Sequence, residues 1–116
     1  PLLVMHGAAD QVVSASNADA LVAQWSGVLD ALKVARPRQR LIGDQGTPGK
    51  WLEVTGQCDR ADRALLLDWR VRGLGHAWSG GDAAGSYTDP EGPDATAALL
   101  AFIAEQDAAL IKSRTP

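Results

Sequence analysis

The pattern of apolar and polar positions predicts a short buried strand followed by a helix in the first third of the chain. Residues 2–5 form a continuous apolar run, which is typical of a strand covered on both faces of a parallel sheet. Ser16, with Asp19 three residues later, is a helix-start signal, and Gly27 marks a possible end of that helix. The apolar residues recurring at helical spacing after the start are Leu21, Trp25, Val28, Leu29 and Leu32.

The rest of the chain predicts a loop, a hairpin, a second loop and a closing helix. Residues 36–50 are rich in proline, glycine and polar side chains, which predicts a loop. Residues 51–58 and 63–72 alternate with period two and predict a hairpin turning at 59–62. In its second strand, the expected buried face is Leu65, Leu67, Trp69 and Val71, and the expected polar face is Leu66, Asp68, Arg70 and Arg72.

The Gly-rich stretch 73–93 predicts a long loop without secondary structure of its own, and such loops are usually functional. Residues 95–110 predict the closing helix, with Pro93 in its first turn. If strands 2–5 and 63–72 pair in parallel, the helix between them is a right-handed crossover. The predicted fold class is therefore α/β, with an incomplete mixed sheet that leaves one edge open.

Composition narrows the classes of function. The chain has 116 residues with a net charge of −3, and its basic residues are scattered, which argues against a nucleic-acid partner. No apolar run is long enough to span a membrane, so no membrane span is expected. The single cysteine, Cys58, cannot form an internal disulfide; it is expected in a strand, with a bridge to a part of the protein outside this chain as the alternative.

Two segments place residues capable of catalysis after predicted strands. In His6-Gly7-Ala8-Ala9-Asp10, a carboxylate follows the carboxyl end of the first strand, which is the edge where open α/β sheets build sites. His76 lies among glycines after the last strand of the hairpin. The alternatives are a turn-forming aspartate and a solvated loop histidine.

Taken together, Asp10 and His76 fit two members of a Ser-His-Asp triad. In such triads the acid orients the imidazole, which takes the proton of the serine, and the chain order in α/β-hydrolases is Ser, Asp, His. The sequence has no Gly-x-Ser-x-Gly elbow, and Ser79 lacks the strand-to-helix context that an elbow needs. The nucleophile and the oxyanion hole are therefore expected upstream of this chain, which begins without Met inside an apolar run.

The motif around His76 carries a specific resemblance. The segment Gly73-Leu74-Gly75-His76-Ala77-Trp78-Ser79-Gly80-Gly81, followed by Ser86-Tyr87-Thr88-Asp89-Pro90 and Gly92-Pro93-Asp94-Ala95, resembles the polyhydroxybutyrate depolymerase family of α/β-hydrolases, which includes feruloyl and acetylxylan esterases. His6-Gly7-x-x-Asp10-x-Val12-Val13 is similar to the acid-bearing segment of many α/β-hydrolases. The resemblance covers nearly the whole chain and is weakest at residues 33–50.

This resemblance implies that residues 1–116 are a single-domain fragment, the C-terminal part of a secreted serine esterase, extracellular or periplasmic. Asp10 would be the catalytic acid, His76 the general base and Trp78 a wall of the substrate pocket. The substrate would be a small ester, a polyester or a feruloylated polysaccharide, and no cofactor is implied. The chain alone is expected to be inactive and to form a dimer or a swapped assembly.

Three alternatives remain open on the sequence. The chain could be a non-catalytic binding or assembly module that keeps a hydrolase scaffold, or part of a peptidase or thioesterase with the same triad, because fold does not fix chemistry. The acidic loop residues Asp82, Asp89, Glu91 and Asp94 could bind calcium, although the EF-hand spacing is missing. Helix capping and solubility are the favoured explanation of these acids.

Overall fold

The computed structural model describes the backbone of residues 1–44 and 51–114 and the side chains of residues 1–37 and 51–114. The described part is a mixed α/β structure, as the sequence predicted. Its elements are β1 Leu2–Gly7, α1 Ala15–Leu32, β2 Arg36–Asp44, β3 Trp51–Cys58, β4 Ala64–Val71, β5 Trp78–Ser79, β6 Thr88–Asp89 and α2 Ala95–Arg114.

Four strands form a mixed sheet in the order β1-β4-β3-β2. β1 and β4 run parallel, with Leu2 opposite Leu66 and Gly7 opposite Val71. β3 and β4 are antiparallel, so both the predicted parallel pair and the predicted hairpin are confirmed. Because parallel strands end at the same edge of a sheet, the segments that follow β1 and β4 emerge side by side.

Helices pack against both faces of the β1–β4 part of this sheet. On one face, α1 packs Leu29 against Leu65 and Leu66, with Trp25 at the margin of the cluster. On the other face, the first turn of α2 contributes to a second cluster. The buried members of the second cluster are Leu52, Trp69, Val71, Leu74 and Ala95. The parallel pair β1–β4 is therefore covered on both faces, as the continuous apolar run in β1 predicted.

The assignment of a polar face to β4 was wrong in one respect, because that face is covered by α1. Asp68 and Arg70 pair with each other there, and Arg70 Nη1 lies 3.0 Å from Asp19 Oδ1 on α1. The side chains of Asp68 and Arg70 are only 15% and 18% exposed. Opposite charges that satisfy each other can be covered by a helix, and the alternation of the sequence does not reveal that pairing.

Leu65 also lies elsewhere than predicted, since it packs with Leu29 in the α1 cluster rather than with Trp69. The cause is an irregularity where β3 meets the start of β4: the register shifts between Gln57 and Cys58. A bulge of this kind re-aims the side chains beside it.

The loop predicted over residues 36–50 was wrong for its first nine residues, which form β2. β2 pairs antiparallel with β3, and the register shifts between Arg38 and Leu41. β2 lies at the edge of the sheet, where Pro37 is tolerated because an edge strand leaves one row of N–H groups unused. Residues 45–50 lie outside the described residues.

Helix α1 continues through Gly27 to Leu32, so the predicted break there was wrong. The backbone of Lys33 is left-handed at φ 54° and ends the helix. Packing carries the helix past Gly27, because Leu29 is buried and the Trp25 indole Nε1 donates to the carbonyl of Leu65 at 3.0 Å. The N-cap is Ser14 rather than Ser16.

The stretch 73–93 was predicted to be structureless, yet it contains β5 and β6, which pair in parallel. Asp94 then caps α2, because its carboxylate accepts from the N–H of Ala97 at 2.9 Å. Pro93 therefore precedes the cap instead of lying in the first turn. Neither helix of the described part has the length and apolar character needed to cross a membrane.

Candidate functional site

The segment after β1 is tied to the segment after β4, and this places Asp10. The N–H of Ala8 donates to the carbonyl of Val71 at 2.9 Å, and the N–H of Ala9 donates to that of Leu74, also at 2.9 Å. Gly7 makes this approach possible, since a Cβ there would meet the Leu74 and Gly75 carbonyl oxygens, the latter at 2.5 Å. The sequence thus brings Asp10 to the carboxyl edge of the sheet through a backbone-to-backbone contact.

Both oxygens of the Asp10 carboxylate are hydrogen-bonded. Oδ1 accepts from the backbone N–H groups of Val12 and Val13 at 2.8 and 2.9 Å. Oδ2 lies 2.9 Å from Nδ1 of His76. The expected meeting of Asp10 and His76 at adjacent strand ends is therefore present, although 66 positions separate the two residues in the chain.

The charge of Asp10 follows from these contacts. Its side chain is only 7% exposed, and desolvation acts to raise its pKa. The N–H groups of Val13 and Val12 and the imidazole of His76 oppose desolvation and lower the pKa to about 2. Asp10 is therefore ionised at neutral pH and accepts from both sides.

The same contacts assign the tautomer of His76. An ionised carboxylate can only accept a hydrogen bond, so Nδ1 of His76 carries the proton that bonds to Asp10. In a neutral imidazole, Nε2 then keeps its lone pair. The His76 side chain is 42% exposed, so this nitrogen can serve as a base toward a group brought beside it.

A cavity of about 320 Å³ opens beside the pair. It falls in the range of small-molecule pockets and, as such pockets usually do, combines apolar walls with a few polar groups. Asp10, His76 and His6 are its titratable groups, together with the phenol of Tyr87. Its apolar walls include Met5, Val13, Trp69, Leu74, Ala77, Trp78 and Ala95.

Trp78, expected from the sequence as a pocket wall, does line this cavity. Its indole Nε1 donates to Oγ1 of Thr96 at 3.0 Å, so the ring is fixed to the first turn of α2. Trp78 is 42% exposed, which leaves part of the indole open to a ligand. An apolar body with its polar corner already bonded suits contact with an uncharged group.

Tyr87 was not among the residues selected from the sequence. Its ring contacts the imidazole of His76 edge to face, with the ring centroids 5.8 Å apart and the planes at 76°. It also lines the cavity. The proximity depends on the pairing of β5 with β6, which folds the loop back on itself, and a stretch predicted to lack secondary structure gave no signal for it.

His6 also lies near the Asp10 carboxylate. Its Nδ1 is 2.8 Å from the carbonyl oxygen of Gly7, so Nδ1 carries the proton. Its Nε2 lies 4.0 Å from Oδ2 of Asp10 and is buried without a hydrogen-bond partner among the described residues. The ring therefore lines the cavity beside Asp10 but makes no hydrogen bond to it in this arrangement.

Ser79, the serine nearest to His76 in the sequence, is engaged elsewhere. Its side chain is buried at 2% exposure, and its Oγ donates to the carbonyl of Pro93 at 2.6 Å. That hydroxyl holds β5 to the segment before α2. The local contacts of Ser79 are those of a structural residue, in keeping with the missing elbow.

Three acidic residues of the loop accept hydrogen bonds from nearby backbone N–H groups. Asp82 and Asp89 accept from backbone N–H groups two residues ahead, at Ala84 and Glu91, and Asp94 caps α2. Over residues 1–44 and 51–114, no group of three or more His, Cys, Asp or Glu side chains is arranged to hold a metal ion. Cys58 is buried in β3 as a free thiol.

Comparison with known proteins adds no identification. No model of a protein family matches the sequence, and no curated protein matches it significantly.

Proposed function

We propose that this chain supplies the acid and the base of a serine esterase, with Asp10 orienting His76 and His76 activating a serine from another part of the protein. The observation that carries the proposal is the 2.9 Å contact between Oδ2 of Asp10 and Nδ1 of His76. An ionised acid on one ring nitrogen, with the other nitrogen able to take a proton, is the arrangement that acyl transfer requires.

The position of the pair in the fold supports the same proposal. Asp10 and His76 follow the parallel strands β1 and β4, at the carboxyl edge where α/β sheets build their sites. The acid precedes the base in the chain, as in α/β-hydrolases. The motif resemblance to polyhydroxybutyrate depolymerases and related esterases points to carboxylic esters as the substrate class, and the apolar cavity suits an uncharged acyl or alcohol group.

In the proposed reaction, His76 takes the hydroxyl proton of the serine at Nε2 while the serine oxygen attacks the ester carbonyl. The imidazolium that forms is stabilised by the Asp10 carboxylate on Nδ1. His76 then gives the proton to the leaving alcohol oxygen, and an acyl-enzyme remains. Water, deprotonated by His76 in the same way, releases the acid and regenerates the serine.

The test uses the full-length protein that contains this segment. We expect it to hydrolyse p-nitrophenyl esters, and Asp10→Asn to lower kcat by about four orders of magnitude. The reason is the tautomer: the introduced amide can keep accepting from Val12 and Val13 only by presenting its NH₂ to His76, which then needs its bare nitrogen at Nδ1. His76→Gln should lower kcat at least as far, because it removes the base.

Fluorophosphonate labelling read by peptide mass locates the nucleophile in the same protein. We expect one adduct on a serine outside residues 1–116, and its loss in His76→Gln. An adduct on Ser79, or labelling that is indifferent to His76→Gln, would contradict the proposal. A full-length protein with neither turnover nor adduct would instead favour the non-catalytic module.

A panel of esters, thioesters and peptides separates the esterase from a thioesterase or peptidase with the same pair of residues. We expect turnover to be fastest on esters. A thioester or a peptide hydrolysed with a higher kcat/KM than every ester would show that the protein is a thioesterase or a peptidase instead.

A further inference from the structure

The Asp10 hydrogen bond alone does not fix the plane of the His76 ring. It holds the ring at Nδ1, and the covalent bond to Cβ holds it at Cγ, so coupled rotation about χ1 and χ2 is the motion that remains. With 42% of the side chain exposed, solvent offers little resistance to that rotation. A second contact would restrict it and aim Nε2 more narrowly.

Tyr87 supplies that contact. Its ring meets the imidazole at a centroid distance of 5.8 Å and an interplanar angle of 76°, within the range where edge-to-face pairs attract each other. The Asp10 hydrogen bond at Nδ1 and the contact with the Tyr87 ring together restrict the rotation of the imidazole.

The backbone of Tyr87 is unusual for its side chain. Its φ is +55°, a left-handed conformation that is a genuine outlier for a bulky residue. Tyr87 is 75% exposed, so core packing does not explain the choice of an aromatic residue. A glycine or an asparagine would occupy this backbone position more easily.

Neighbouring contacts hold Tyr87 in this conformation. Its carbonyl accepts from the N–H of Trp78 at 2.7 Å, and the next residue, Thr88, pairs with Trp78 in the β5–β6 ladder. Thr88 Oγ1 also lies within hydrogen-bond distance of the carbonyl oxygens of Asp82 and Gly85, at 2.5 and 3.0 Å. Strain that the surroundings over-determine in this way, beside a candidate site, is a reason to look for a role of the side chain.

We infer that Tyr87 is a positioning residue, whose ring holds the plane of the His76 imidazole so that Nε2 faces the cavity. The catalytic effect of Tyr87 rests on the proposed function, in which His76 is the base. The contact between the two rings rests on the geometry alone.

The first arm of the test measures the ring of His76 by NMR in the full-length protein that contains this segment, with the rings of His76 and Tyr87 isotopically labelled. We expect cross-relaxation between the ring protons of Tyr87 and His76, and ordered His76 C–H bonds. Tyr87→Gly and Tyr87→Asn both accept the left-handed backbone without a ring, so they should lower the order parameter of the His76 ring. Tyr87→Phe keeps the ring and should keep the order.

A matched control separates the ring from the backbone strain. Lys33 has nearly the same φ, at 54°, but ends α1 and does not line the cavity. Lys33→Gly relieves the same kind of strain, so it should raise the thermal midpoint without changing the His76 ring. An order parameter of His76 that is unchanged in Tyr87→Gly would overturn the inference.

The second arm measures turnover in the full-length protein. We expect Tyr87→Gly and Tyr87→Asn to lower kcat by roughly ten- to a hundredfold, the size that small misplacements of a catalytic group cause, with KM within about twofold. Tyr87→Phe should restore most of kcat. Unchanged kcat in Tyr87→Gly beside a disordered His76 ring would overturn the catalytic part of the inference.

The two arms keep this inference apart from the proposed function. If His76→Gln leaves ester turnover unchanged, the proposed function fails, and the NMR arm still decides whether Tyr87 holds the ring. If His76→Gln abolishes turnover while Tyr87→Gly changes neither ring order nor kcat, the esterase proposal stands and the role of Tyr87 is rejected.

Discussion

At the scale of single residues, Asp10 divides its two oxygens between two tasks. Oδ1 is anchored by the N–H groups of Val12 and Val13, and Oδ2 is left to His76. A carboxylate anchored at one oxygen cannot rotate away when the other oxygen gains or loses its partner. This division lets a turn-forming aspartate and a histidine-orienting aspartate be the same residue, and the sequence had offered these as alternatives.

The lowered pKa of Asp10 predicts an acid-sensitive contribution to stability. The pKa falls from 3.8 to about 2 on folding, so this contribution is complete above about pH 4 and is lost as the pH falls through about 2. Asp10→Asn should therefore flatten part of the decrease in thermal midpoint between about pH 4 and about pH 2. Scanning calorimetry at fixed ionic strength measures it.

Asp59→Asn is the comparison for that measurement. Desolvation raises the pKa of Asp59, but hydrogen bonds from Arg63 and Ala61 outweigh it and lower the pKa, so this variant should also flatten the profile. Only Asp10→Asn should also disturb the NMR signals of His76. A profile of Asp10→Asn identical to that of the unmodified chain would show that the Asp10 contacts are lost in solution.

The sequence identified candidate residues whose role depends on their position after a strand. Asp10 and His76 were selected because each follows the end of a strand, and the structure brings them together. Tyr87 and His6 were not selected, because their roles depend on a left-handed φ and on a buried Nε2. Neither property is visible in residue type or spacing.

At the scale of elements, an added Cβ should have opposite effects on stability at Gly27 and at Gly7. Around Gly27, in α1, an added Cβ meets nothing within 4 Å. Gly27→Ala should therefore stabilise the chain by about 0.5–1 kcal/mol, because alanine loses less backbone entropy in a helix. Chemical denaturation with an unchanged m-value measures the gain.

Gly7→Ala is the counterpart at the end of β1, where the new Cβ would meet the carbonyl oxygens of Leu74 and Gly75. Since both obstacles are backbone atoms, the strand ends must move apart. We expect a lower thermal midpoint and a weaker Asp10–His76 contact. A Gly7→Ala chain as stable as the unmodified one would contradict the close approach that the structure shows.

The elements missed by the sequence were those decided by tertiary contacts. β2 carries Pro37 and polar residues, and it forms because β3 offers it an edge. α1 passes Gly27 because Trp25 and Leu29 anchor it on the sheet. The strands β1, β3 and β4 were predictable because their own apolar periodicity already specified them.

At the scale of the whole molecule, the β1 edge of the sheet is open to pairing with another strand. Among the described strands, β1 has β4 as its single neighbour, and its apolar sequence gives the free edge little charge to discourage pairing. Exposed apolar side chains also lie on both helices, including Leu21 and Leu32 on α1 and Leu100 and Ile111 on α2. These features favour association with another surface.

We therefore predict that the 116-residue chain self-associates in a concentration-dependent manner. Sedimentation velocity from about 5 to about 500 µM should show a rising average mass at neutral pH, since typical weak interfaces dissociate in the micromolar range. A single monomeric species over the whole range would refute the prediction. Added salt should weaken the association little, because salt screens charges and the contact surface is apolar.

The distance between Asp10 and His76 along the chain has a kinetic consequence. Their hydrogen bond closes a loop of 66 positions, and the parallel pairing that permits it cannot be reached through local turns alone. The bond should therefore appear among the last contacts during refolding, after the β3–β4 hairpin. The His76 resonances, followed in real time during refolding, would therefore report when the sheet is complete.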